Sequence, residues 1–149
     1  MIEMYCDGGN SMANEVGGCS AIIVKDKSII AELSEAYEGE HITNNVCELA
    51  AVILGLNYIL ANPQLGKEVK VISDSQYITS GAKNWLPKWK LKGWKTTTGK
   101  VKNQVLWEAI DELKSKLNID WIWTKGHANN NLNNLADELA GKAYRKLIK

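Results

Sequence analysis

The 149 residues contain only two prolines, and their twelve glycines follow no repeat, so neither a fibrous nor a disordered chain fits the composition. No uninterrupted apolar run approaches 18 residues, and no membrane span is expected. The opening "MIEMYCDGG" has neither the basic stretch nor the apolar core of a signal peptide, which leaves a cytoplasmic location as the expectation. Cysteine is scarce and odd in number. Cys6, Cys19 and Cys47 have no close spacing, which argues against a disulfide framework or a zinc knuckle and for small buried residues. Internal repeats, low-complexity segments and dividing linkers are also missing, so one domain spanning 1–149 is expected.

What is present is an ordinary globular mixture, 45% hydrophobic and 23% charged, with an uneven distribution of charge. Seven lysines and no acid lie between Lys83 and Lys102, which leaves 11 basic and 17 acidic residues elsewhere, despite a net charge of +1. The chain is electrically two-sided, with one basic lobe on an acidic body.

Hydrophobic periodicity divides the chain. Residues 1–6 alternate as a strand ending at Asp7, and "GGNSMANEVGG" reads as a glycine-bounded loop. "CSAIIV" and "SIIAELSEAY", joined by the polar "KDKS", read as a hairpin. From Asn45 the period becomes helical, with Thr43, Asn44 or Asn45 available as N-cap and "NPQLG" as the stop. Strand character returns over 68–73. The stretch 75–102 suggests two short helices, or one broken at Gly81 and Pro87, followed by a "KTTTGK" loop. Helices are expected over about 103–117 and 131–147, with the strand "IDWIWT" between them. A strand, a hairpin, a helix and another strand make a mixed sheet with at least one helix-covered face.

Four acids stand out by position. Asp7 and Asp74 each end a predicted strand, Glu48 lies in the first turn of the long helix, and Asp137 lies about two turns into the last one. Each has an ordinary alternative. Asp7 before Gly8 and Gly9 could form a turn, Asp74 could cap a helix beginning at Ser75, Glu48 stands at capping-box distance from Asn45, and Asp137 could be a solvated helical acid. If the four converge, their mutual repulsion calls for a divalent cation. Mg²⁺ accepts a few carboxylates together with substrate phosphate, and four acids could hold two ions about 3.5 to 4 Å apart.

In order along the chain, "YCDGG", "GGCSAIIV", "TNNVCELAAVILGL", "ISDSQYI", "GWKTTTGKVKNQVLW", "IWTKGHA" and "ADELA" resemble the type 1 ribonuclease H family over essentially the full length. The resemblance implies an α/β fold, a five-stranded mixed sheet in order 3-2-1-4-5 with helices on both faces. It implies hydrolysis of the RNA strand of RNA/DNA hybrids, largely regardless of sequence, leaving 5′-phosphate and 3′-hydroxyl ends. Asp7, Glu48, Asp74 and Asp137 become the catalytic, metal-binding carboxylates for two Mg²⁺ ions, with Mn²⁺ as a possible substitute. Asp7 would bridge the ions, Glu48 and Asp74 would complete one site, and Asp137 the other. His127, in "TKGHANNN", matches a loop histidine that assists proton transfer or product release, a role suited by its near-neutral pKa range.

The substrate side follows the same resemblance. Asn10, Asn44, Asn45 and Gln76 match positions that contact substrate, as suits sensing of 2′-hydroxyls across a shallow minor groove. Thr43 and Asn103 match positions that grip a DNA-strand phosphate, and Trp85 a position against the DNA sugars. Residues 83–102 correspond to a basic protrusion in which Lys88, Lys90 and Lys92 would neutralise phosphates without reading bases. Of Trp85, Trp89 and Trp94 at least one should pack the lobe, while Trp107, Trp121 and Trp123 are expected in the core. The chain departs from its relatives in "ANEVGG", which lacks their prolines, and in Asn134, where a glutamate is frequent. No further hybrid-binding module is expected before Met1, and low processivity is expected with it, as is a monomer with no obligate protein partner. Two alternatives compete with this reading, a DNA-acting nuclease of the same fold and a non-catalytic hybrid-binding domain.

Overall fold

The computed structural model describes residues 1–125 and 131–148. The chain opens with three long strands, β1 (Ile2–Ser11), β2 (Val16–Lys25) and β3 (Ser28–Glu38), paired antiparallel in succession. Asp26 and Lys27, both at positive φ (52° and 67°), make the two-residue turn between β2 and β3, the backbone twist such hairpins prefer. Helix α1 (Asn44–Ala61) leads to β4 (Glu68–Ser73), which pairs parallel to β1. Next come α2 (Gln76–Ser80), α3 (Leu86–Leu91), α4 (Gln104–Ser115), the strand Asn118–Trp123, here β5, and α5 (Asn131–Arg145). The sheet order is β3-β2-β1-β4-β5, with β5 parallel to β4, as the family resemblance implied.

Alternation along β1 divides the core. Ile2, Met4 and Cys6 pack with Leu49, Val52, Leu56, Trp107 and Ile110 on the α1/α4 face. Tyr5 joins Ile22, Val24, Ile72 and Ala136 on the α5 face. Helix α1 has the length and apolar composition of a bilayer-crossing segment, mean hydropathy 1.4. In the structure its buried side, Leu49, Val52, Leu56 and Ile59, forms the centre of the larger core cluster.

Three expectations need correction. β1 does not end at Asp7 but continues to Ser11, with Gly8 paired to Cys19 and Gly9 to Gly18. The glycines serve close approach instead of a turn: a Cβ on Gly8 would strike the Cys47 backbone, and one on Gly18 the Ala140 carbonyl oxygen. Nor is the helical stretch broken at Gly81 or Pro87. Residues 81–85 form a π-helical turn that carries α2 directly into α3, with Pro87 in the first turn of α3. A Cβ on Gly81 would meet the Trp107 ring, which explains that glycine. Finally, "KTTTGK" is not all loop, because Lys95–Thr96 pairs with Gly99–Lys100.

Candidate active site

The parallel ladder between β1 and β4 ends at Tyr5–Ile72, whereas β1 continues against β2 alone. Asp7 lies just beyond that end, and Asp74 follows the last residue of β4, so two neighbouring strands deliver their acids to one notch. Glu48 enters from α1. The Thr43 hydroxyl caps that helix by accepting the Val46 N–H at 3.1 Å, which puts Glu48 too deep in the helix for a capping box. Asp74 is not the cap of α2 either, since the Ser75 hydroxyl accepts the Ile78 N–H at 3.3 Å. With both carboxylates released from helix capping, ligand oxygens of Asp7, Glu48 and Asp74 lie within 4.8 Å of one another. Asp137, on α5, lies near enough for its carboxyl to influence those of Asp7 and Glu48.

This cluster is poorly hydrated. Asp7 and Glu48 are each 3% exposed. The Gly8 N–H donates to both, to Asp7 Oδ1 at 3.0 Å and to Glu48 Oε1 at 3.2 Å. Their other oxygens, Asp7 Oδ2 and Glu48 Oε2, are buried without a hydrogen-bond partner. Burial drives the Asp7 carboxyl far above the usual carboxylate range, and the neighbouring Glu48, Asp137 and Asp74 push it further. Burial likewise raises Glu48, with the charges of Asp74 and Asp137 adding to it and the Gly8 N–H opposing it. Orphaned acceptors and strained ionisation make the site unfavourable for protein alone and suited to a divalent cation, for which an all-oxygen donor set is the hard-ligand preference. The cluster is consistent with a metal-binding site.

The residues expected on the substrate side come from β1, α1, α2 and the segments around α3 and α4. Asn10 is near the end of β1, and its Nδ2 donates to the Ile42 carbonyl at 2.9 Å. Asn44 and Asn45 are exposed in the first turn of α1, and Gln76 is exposed two residues past Asp74. Asn103 has left-handed backbone, φ 60°, and donates from Nδ2 to the Tyr77 hydroxyl at 3.1 Å. That hydroxyl also accepts the Trp107 Nε1–H at 2.9 Å, tying Asn103 to the buried foundation of the basic lobe. Trp89 packs edge-on to Trp107 and tilted to Trp85 and Trp94, giving the lobe its apolar centre. Trp85 is 39% exposed. Lys88, Lys90 and Lys92 are all exposed, and Lys90 also pairs with Asp111 at 3.1 Å. His127 lies outside the described residues.

Trp123 is a correction. Trp107 and Trp121 are buried as expected, but Trp123 is 46% exposed. It stands opposite Ser73 in the last pair of the β4/β5 ladder, and its Nε1–H donates to the Asp74 carbonyl oxygen at 3.0 Å. The indole therefore braces the backbone of a site carboxylate, a part that alternation along "IDWIWT" could not reveal because the strand's last residue overhangs the core. The one available signal was its register with Ser73, immediately before Asp74.

Comparison with known proteins agrees with this geometry. A family model described as RNase H matches residues 1–145. The ribonuclease H of Hahella chejuensis (strain KCTC 2396) is 38% identical, over 99% of this chain and 95% of its own length. That of Treponema denticola is 39% identical, over 99% of each chain. Among solved structures, LC11-RNase H1 in complex with RNA/DNA hybrid superposes with a TM-score of 0.74 at 23% identity and covers each chain fully, a likeness of fold. Two relatives matched nearly end to end, and a family model spanning residues 1–145, show that this chain belongs to the type 1 RNase H family.

Proposed function

We propose that the protein is an endonuclease that hydrolyses the RNA strand of RNA/DNA hybrids and leaves 5′-phosphate and 3′-hydroxyl ends. The observation that carries this reading is the meeting of Asp7, Glu48 and Asp74 with two buried, unpartnered oxygens among them. Asp7, Glu48, Asp74 and Asp137 would hold two Mg²⁺ ions, or Mn²⁺ in their place. When bound, such ions lower the pKa of water and stabilise charge on a phosphodiester's leaving oxygen. The Gly8 N–H keeps one oxygen of Asp7 and one of Glu48 fixed, and the other oxygen of each is buried without a hydrogen-bond partner. His127 would move a proton or ease product departure.

Selectivity would come from Asn10, Asn44, Asn45 and Gln76, whose short amides can both donate to and accept from a 2′-hydroxyl. Thr43 and Asn103 would hold a phosphate of the DNA strand and Trp85 its sugars. The lysines of the 83–102 protrusion, Lys88, Lys90 and Lys92 among them, would supply affinity blind to sequence. In this reading one cytoplasmic, monomeric domain performs the whole reaction. The hybrid seen with LC11-RNase H1, on a similar fold, supports this choice of substrate.

A strand-labelled gel tests the proposal. RNA/DNA hybrid, duplex RNA, duplex DNA and single-stranded RNA are incubated with protein and Mg²⁺ or EDTA. Cleavage confined to the RNA of the hybrid, and only with Mg²⁺, is the expected result. Cleavage of duplex DNA would favour the DNA-nuclease reading, and binding of hybrid without cleavage the non-catalytic one.

A further inference from the structure

We propose that Ser20 is a positioning residue for the fourth carboxylate, its hydroxyl fixing where α5 stands on the sheet and hence where Asp137 meets Asp7. This rests on the reading of the acidic cluster as a cation-binding nuclease centre. Ser20 is fully buried in β2 and stands directly opposite Asp7 in the ladder. Its Oγ donates to the carbonyl oxygen of Ala136 at 2.5 Å, and Ala136 immediately precedes Asp137.

Two residues earlier on the same face of β2, Gly18 lies so close to α5 that an added Cβ would stand 2.6 Å from the Ala140 carbonyl oxygen. Ala136 and Ala140 are about one helical turn apart. Strand β2 therefore touches the α5 backbone at two successive turns, with a bare Cα at one and a hydroxyl hook at the other. The bare contact sets how near the helix can come. The hook is directional and sets how far it can slide or roll. A helical carbonyl has a second lone pair available for such a donor, and a buried hydroxyl is tolerable only where it is bonded. Alanine or glycine would fill the same place if packing were the only requirement. Catalytic constellations need their groups held within about 0.5 Å, and Ser20 links the strand opposite Asp7 to the residue beside Asp137.

Ser20→Ala removes the hook and keeps the Cβ. Mg²⁺ is titrated into the full chain without nucleic acid, with thermal stabilisation as the readout, and kcat and KM for hybrid cleavage are measured in parallel. S20A is expected to unfold cooperatively, to need roughly 10-fold more Mg²⁺ for half-maximal stabilisation, and to lose kcat at unchanged KM. In an Asp137→Asn background, Ser20→Ala should leave the Mg²⁺ requirement where Asp137→Asn alone puts it. A wild-type-like Mg²⁺ titration of S20A, or an effect undiminished in D137N, would reduce Ser20 to packing and overturn the proposal. If S20A does not unfold cooperatively, Ser20→Cys, close in volume but a weak donor, is judged by the same criteria. A wild-type protein indifferent to Mg²⁺ would sink the site reading and this inference together, whereas a normal wild type with an unaltered S20A sinks this inference alone.

Discussion

Asp7 and Glu48 share one backbone donor, the Gly8 N–H, and each keeps a buried oxygen that nothing in the protein answers. Both carboxyls are raised above their ordinary range by burial, so in the metal-free protein they hold protons that the unfolded chain would already have released. The native state then binds more protons than the unfolded state, and stability is full below the ordinary carboxylate range and declines as pH rises through neutrality. Urea unfolding in EDTA should show midpoints falling across that window. Saturating Mg²⁺, which binds the ionised forms, should flatten the decline, and Asp7→Asn should remove part of it. The same substitution should cut turnover by roughly 10²–10³-fold or more, the scale for losing a group that answers transition-state charge, while hybrid binding in gel shifts persists. The identity of these acids was legible as an ordered set of short matches. Their convergence was not derivable from spacing, because turn, cap and solvated-acid readings each satisfy the local sequence. Capping by Thr43 and Ser75 is the physical fact that removes two of those readings.

At the scale of elements, strand and helix periods were plain in the sequence, and glycine was the ambiguous signal. Gly8, Gly9, Gly17 and Gly18 look like loop residues, yet all four lie within the β1/β2 ladder. A missing side chain can mean a turn or a neighbour's close approach, and sequence alone does not show the neighbour. Gly81 poses the same ambiguity within a helical run, where the Trp107 ring occupies the space a side chain would need. Gly81→Ala should therefore destabilise by about 1–3 kcal/mol, the usual cost of overpacking, even though alanine is the better helix former. Denaturant unfolding monitored by tryptophan fluorescence measures it, and an unchanged or raised midpoint would contradict the packing assigned to Trp107.

For the molecule as a whole, the lysines gathered between residues 83 and 102 are not equivalent. All three of Lys88, Lys90 and Lys92 are exposed, but Lys90 is already paired with Asp111. Hybrid affinity measured against salt should lose roughly 0.7–0.9 units of log–log slope for each phosphate-contacting lysine removed. Lys88→Ala and Lys92→Ala should each show such a loss and Lys90→Ala a smaller one, and equal losses at all three would discount the Asp111 pair. The sheet order carries a kinetic consequence. β1 pairs with β4 more than sixty residues away, Ile2 against Val69, and β4 in turn with β5, Glu68 against Asn118, before α5 can bring in Asp137. Pairings so distant along the chain close slowly. A refolding time course read by cleavage should lag behind one read by helical circular dichroism, making enzymatic competence a late marker of the finished chain.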